Sequence, residues 1–204
     1  MLKKLVIFFL LLAFSISCST VEEKPQDSGE VEAERTESVQ SIVMKQGYNV
    51  LNAIKSKDAK TLSKFVHPKK GVLFSPYGTI EVKRAQVFMP AQLKEFFKNS
   101  KQLEWGTEAG RGDPIRLSPE EYFNAYVYDE EFSETEIVTF DGIHQETNSI
   151  QNIKDVFPES HYVEFFVPGS EEFEGMDWKS LKLVFSEYNG QFYLIGIIHD
   201  QWTP

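Results

Sequence analysis

Asn189-Gly190, set between two long runs of strand-forming residues, constrains the fold of this chain more than any other feature. A two-residue loop of this type takes the backbone through positive φ twice, which Asn and Gly tolerate, and its twist matches that of the strands it joins. The flanking runs are Leu181-Lys182-Leu183-Val184-Phe185 and Phe192-Tyr193-Leu194-Ile195-Gly196-Ile197-Ile198. With Asn189 and Gly190 in the loop, Tyr188 is expected to face Gln191, Phe185 to face Leu194 and Leu183 to face Gly196. Strict alternation predicts one apolar face of Leu181, Leu183, Phe185, Phe192, Leu194, Gly196 and Ile198, continued by Asp200 and Trp202. The opposite face, with Lys182, Ser186, Gln191, Tyr193 and His199, is expected to be partly wet.

Upstream the hydrophobic period becomes helical. Val39, Ile42, Val43, Gly47, Val50, Leu51 and Ile54 fall on one helix face. Gly47 costs about 1 kcal/mol against Ala in a helix interior, so it reads as a point of close packing. Asp58 is placed to cap a second short helix carrying Ala59, Leu62, Phe65 and Val66, which Pro68 ends. A strand over 71–74, a turn at 75–78 and a helix over 90–100 follow. A strand over 103–105 then enters a glycine-rich loop over 106–114. Ser118-Pro119-Glu120-Glu121 is a capping box with Pro at the first helical position, and the helix it starts presents Tyr122, Phe123 and Tyr126. A short helix over 150–157 and a strand over 161–167 precede the hairpin. Helices first, then a twisted antiparallel sheet closing in a long hairpin, predict an α+β fold with the helices on one face of the sheet.

In pattern and length this order resembles the cone-shaped fold of nuclear transport factor 2 (NTF2) and its relatives, including ketosteroid isomerase and limonene epoxide hydrolase. A closer resemblance rests on Gly175-Met176-Asp177-Trp178-Lys179-Ser180-Leu181 and Tyr193-Leu194-Ile195-Gly196-Ile197-Ile198-His199-Asp200-Gln201-Trp202-Thr203. Together with Trp105-Gly106-Thr107 and Gly112-Asp113-Pro114-Ile115, these stretches look like an uncharacterised family of secreted or lipid-anchored bacterial proteins. That resemblance implies a location and brings no activity with it.

The N-terminus agrees with such a location. Lys3 and Lys4 precede an apolar run over 5–14, and Ser15-Ile16-Ser17 lead into Cys18, the single cysteine of the chain. This is the layout of a secretory signal too short to span a bilayer, with Cys18 as the lipidated first residue after cleavage, although Ser15 stands where such signals usually carry Leu. An ordinary signal peptide cut nearby is the alternative. The expected organisation is a signal peptide over 1–17, lipidated Cys18 with an acidic stalk over 18–37, and one globular domain over 38–204. Residues 19–37 hold seven acids and two bases with no aromatic residue, too little apolar surface to offset the entropy of ordering. The whole chain carries a formal charge of −10, which argues against nucleic acid as a partner. Expected partners are therefore the membrane through the lipid, a small apolar ligand or an envelope protein, and a second copy docked on the outer sheet face. The location is the cell membrane, extracytoplasmic, or the outer membrane in a Gram-negative host.

Chemistry is sparsely signalled. Asp200 is a candidate base at a cavity mouth, with Tyr122 or Tyr126 as hydrogen-bond donor. Trp105, Arg111, Asp113, Trp178, Asp200 and Trp202 are candidate ligand contacts, the loop over 105–114 lining a pocket. His67, His144, His161 and His199 lack metal-ligand spacing, and no second cysteine exists, so neither a metal site nor a cofactor is expected. His67, after a helix end, reads as a charge suited to the helix dipole. The acidic cluster Asp129-Glu130-Glu131 with Glu134 and Glu136 reads as a solvated face. The leading expectation is a lipid-anchored, non-catalytic binding or accessory protein. The alternatives are a cofactor-independent isomerase or hydrolase, and a structural envelope lipoprotein.

Overall fold

The computed structural model describes residues 37–145 and 150–203. Its helical stripe is α1 (Val39–Lys55), where the Ser38 hydroxyl accepts the Ser41 amide at the N-cap and Val43, Gly47, Val50, Leu51 and Ile54 turn inward. Gly47 is a point of close packing, as expected: a Cβ there would lie 3.0 Å from Val163 Cγ2. Helix α2 (Ala59–Phe65) starts at Asp58, whose carboxylate accepts the Thr61 amide at 2.9 Å. Then come β1 (Val72–Ser75), β2 (Gln86–Phe88), α3 (Pro90–Leu93), β3 (Leu103–Thr107) and β4 (Pro114–Leu117). Helix α4 (Pro119–Tyr126) has the full capping box between Ser118 and Glu121. The chain continues through β5 (Ile137–Phe140), α5 (Ile153–Val156), β6 (His161–Val167), β7 (Lys179–Tyr188) and β8 (Gln191–Gln201).

Six strands form one sheet in the order β2-β1-β8-β7-β6-β5, antiparallel throughout except where β1 runs parallel to β8, and β3 and β4 make a separate ribbon. The α+β arrangement expected from the sequence is the one observed: N-terminal helices pack on an antiparallel-dominated sheet that ends in a long hairpin. Asn189 and Gly190 both take positive φ, 52° and 75°, as the turn requires. Among the elements not read from the sequence are β2, β4 and β5.

The hairpin register departs from strict alternation at one residue. Tyr188 faces Gln191 and Phe185 faces Leu194 as expected, but Val184 then faces Gly196 and Leu183 faces Ile197. Ile195 is the extra residue of a β-bulge, and every position beyond it changes face. Leu194, Ile197 and His199 thus join Leu181, Leu183 and Phe185 on the helix side, while Ile195, Ile198 and Asp200 lie on the outer side with Ser180, Lys182 and Val184. The expectation that Asp200 continues the helix-side face is overturned.

The outer face is wet only near the turn, where Gln191 is exposed and Tyr193 half-buried. On the rest of it Leu73, Ile80, Ile153, Tyr162, Val184, Ile195 and Ile198 form a second apolar cluster, closed over by the loop after β1 and by α5. Lys182, Ser186 and His199, expected toward water, are all buried. The outer face beyond Ile195 is covered by the chain's own segments and Ile197 lies on the helix side, while Tyr193 and Gln191 stay at least partly open. Cys18 and the segment over 1–36 lie outside the described residues, and no described helix is long and apolar enough to cross a membrane.

Candidate functional site

The interior between helices and sheet is filled with aromatic rings. Trp105 stacks on Tyr122 with ring centroids 3.9 Å apart, its indole N–H donates to the Leu117 carbonyl, and Phe74, Phe88 and Phe96 surround the pair. The space left among Phe74, Leu93, Phe96, Phe123 and Ile197 is about 10 Å³, at the lower limit for a single water molecule. Trp105 is therefore a core residue and lines no pocket.

Open space lies instead at the end of the sheet. A groove of about 690 Å³ is lined by Tyr77, Glu108, Ala109, Gly110, Arg111, Tyr126, Gln201, Trp202 and Thr203. Each side has a local cause. The loop between β3 and β4 is folded back by the Glu108 amide on the Asp113 carbonyl and the Gly112 amide on the Glu108 carbonyl, with Gly110 and Gly112 at positive φ. That fold aims Glu108 and Arg111 at each other as an ion pair on the rim. Tyr126 ends α4, Tyr77 sits in the turn after β1, and their rings meet edge to face at 5.9 Å. Burial, then hydrogen bonding with Tyr77, pushes the Tyr126 hydroxyl above the ordinary tyrosine range. Trp202, one residue past β8, is 41% exposed.

A buried polar chain runs beneath. His199, fully buried on the helix-side face, has Nδ1 3.0 Å from the Pro76 carbonyl and Nε2 3.1 Å from Asp129 Oδ1. Both partners are acceptors, so the set is complete when both ring nitrogens carry protons. Lys179 Nζ lies 3.0 Å from Asp129 Oδ2 and also donates to Gln201, which lines the groove. Burial works to raise the Asp129 carboxyl, but His199 and then Lys179 outweigh it and hold the group below the usual carboxylate range. Asp129, read from the sequence as part of a solvated face, is thus a largely buried counter-ion, its side chain 12% exposed. His199 and Asp129 carried no joint signal, because their meeting depends on the bulge at Ile195.

The remaining candidates fall elsewhere. Asp200 is fully buried on the outer face, where it accepts from Gln151 at 2.6 Å and lies 3.4 Å from Lys182. Lys182 also reaches Glu164 at 3.2 Å, and Ser180 donates to the same carboxylate at 2.6 Å. The sheet separates Asp200 from Tyr122 and Tyr126, so the base and donor proposed for an isomerase or hydrolase do not share a cavity. Trp178 is buried against Phe166 on the outer face, and Asp113 is exposed outside the groove lining. Of the six candidate ligand contacts, Arg111 and Trp202 meet at the groove. Tyr77, Glu108 and Gln201 were missed; each is an ordinary loop or strand-end residue until the sheet end brings them together.

No protein-family model matches the sequence, and no curated protein matches it. Solved structures give faint likenesses of layout. A DUF4783 family protein from Bacteroides ovatus shares 11% identity over 76% of this chain and 94% of its own, with a TM-score of 0.28. The protein Aln2 from a Streptomyces species shares 7% identity over 78% and 88%, with a TM-score of 0.34. A substituted NTF2-type protein shares 9% identity over 76% and 94%, with a TM-score of 0.31.

Proposed function

We propose that this chain is a lipid-anchored, extracytoplasmic binding protein that holds its ligand in the groove between Trp202, Tyr126 and Arg111. One observation carries the reading: the helix–sheet interior is packed solid, while the concavity at the sheet end offers aromatic faces and paired charges directly to solvent. Recognition at an open surface by a few aromatic anchors and an arginine is the usual chemistry of binding sites. The anchoring half rests on Lys3, Lys4, the apolar run over 5–14 and Cys18. Several acyl chains on one cysteine, each buried methylene contributing about 0.8 kcal/mol, would give stable attachment. The acidic segment over 19–37 would hold the domain away from anionic headgroups.

Two measurements test it in the native host. Metabolic labelling with an alkyne-bearing palmitate analogue should mark the wild-type chain and recover it with membranes, and Cys18→Ala should abolish both. Hydrogen exchange on the full chain, with and without soluble host envelope extract, should show protection confined to residues 77, 108–111, 126 and 201–203. Unchanged labelling in Cys18→Ala, or protection elsewhere alone, would overturn the corresponding half.

A further inference from the structure

We infer that the groove takes a neutral polysaccharide chain. The inference rests on the binding reading above and names the ligand class. Tyr77, Tyr126 and Trp202 bring three aromatic rings to one open surface, and Trp202 stays 41% exposed beside a strand whose residues 194–200 are buried. Pyranose rings present flat C–H faces that stack on such rings while their hydroxyls stay in water. Glu108, Arg111 and Gln201 add planar, two-pronged hydrogen-bonding groups at the rim, a shape matched by adjacent sugar hydroxyls.

Charge and topology narrow the class. Arg111 is paired with Glu108, so the rim offers no unbalanced cation to an anionic polymer, and the chain as a whole is acidic. A small apolar molecule needs a site that encloses most of its surface, and this groove does not close over one. A peptide adding as a strand needs a free edge. Here β8, the strand that delivers Gln201, is paired with β7 throughout and with β1 over 196–198, so the edge open to an added peptide at the groove is only 199–201. An open groove suits an extended chain that enters and leaves at its ends.

The test is affinity electrophoresis of the full-length chain in mild detergent, through gels containing laminarin, hydroxyethylcellulose, yeast mannan or, as the anionic control, polygalacturonate. At least one neutral polymer should retard the protein and polygalacturonate should not. Trp202→Ala should weaken that retardation by about tenfold or more, and Arg111→Ala should weaken it too. Tyr48→Ala, an exposed tyrosine on α1, should match wild type, with unchanged far-UV circular dichroism in all three variants. No retardation by any neutral polymer, retardation by polygalacturonate alone, or retardation indifferent to Trp202→Ala would overturn the inference. Hydrogen-exchange protection of 108–111 and 201–203 by envelope extract, without polysaccharide retardation, would keep a binding groove and remove the sugar. Loss of both would remove both.

Discussion

His199 Nε2 lies 3.1 Å from Asp129 Oδ1, in a pair whose side chains are 0% and 12% exposed. Removing one partner of so buried a pair leaves the other without its counter-charge or acceptor. Asp129→Ala should therefore destabilise the fold by about 3 kcal/mol in urea denaturation at neutral pH. Asp129→Asn should cost less, because the amide can donate to Nε2 of a neutral imidazole. Equal losses in the two variants would mean that the carboxylate charge, supported by Lys179 at 3.0 Å, matters more than the hydrogen bond. The folded Asp129 carboxyl sits below its ordinary value. Its contribution is thus complete above the unfolded value, about pH 4, and is lost as pH falls through the lower folded one.

The bulge that creates this pair is held by tight packing. A Cβ at Gly196 would lie 3.1 and 3.2 Å from Val184 side-chain atoms and 3.4 Å from the Phe157 ring. Gly196→Ala should cost about 1–3 kcal/mol by overpacking. Deleting Ile195 should leave His199 and Asp200 on their present faces, because Leu194 and Gly196 then follow each other in regular alternation opposite Phe185 and Val184. Its cost is the loss of the Ile195 side chain from the outer cluster. Thermal denaturation of both variants checks this; a deletion variant that fails to fold would show that the bulge itself, and not the pairing on either side of it, holds the register.

Much of the fold could be read because local rules and tertiary packing agree. The stripe from Val39 to Ile54, the Asp58 cap, the Ser118–Glu121 box and the Asn189-Gly190 turn all appear as their chemistry dictates. The site could not be read in the same way. One inserted residue exchanges the faces of His199 and Asp200, and its one local sign, Gly196 inside an otherwise apolar strand, fits the apolar face of a regular strand as well. β2 and β5 are short edge strands of three and four residues, and their alternation is too brief to register. The groove is assembled from the turn after β1, the β3–β4 loop, the end of α4 and the end of β8, which only the topology joins.

His67 gives a pH-dependent contribution opposite to the one its position suggested. Its Nδ1 accepts the amides of Lys69 and Lys70, each at 3.0 Å, so the ring works as a neutral acceptor and not as a cation at a helix end. Burial, and then the charge of Lys70, hold its value below the ordinary histidine range. With the folded value below the unfolded one of about 6.5, the contribution is complete above that pH and is lost as pH falls toward the folded value. Melting temperature should fall from about pH 8 to about pH 5, and His67→Gln should show a shallower fall. An identical slope in the variant would refute the assignment.

Lys182 sits between Glu164 at 3.2 Å and Asp200 at 3.4 Å, with all three side chains at most 3% exposed. Lys182→Met should cost about 3–5 kcal/mol, because two carboxylates stay buried without their cation. Combining Lys182→Met with Glu164→Gln and Asp200→Asn should recover much of that loss, since no buried charge then remains. If the triple variant is no better than the single one, the hydrogen bonds from Ser180 and Gln151 contribute more than the ion pairs.

The Tyr122 hydroxyl is buried with no hydrogen-bond partner among the described protein groups, and its ring carries the stack on Trp105. Burial, then the neighbouring Tyr126 and Tyr77, push that hydroxyl well above its usual range. A buried, unpaired hydroxyl costs its own desolvation, so Tyr122→Phe should stabilise the fold by about 1 kcal/mol while keeping the ring in place. Tyr122→Ala should instead lose about 3–5 kcal/mol through the cavity left beside Trp105. A higher melting temperature in Tyr122→Phe, with polysaccharide retardation unchanged, would mark the hydroxyl as a plain cost of the core. A lower one would mean that the oxygen is hydrogen-bonded in solution, and its placement beside Tyr126 and Tyr77 would then make it part of the floor of the groove.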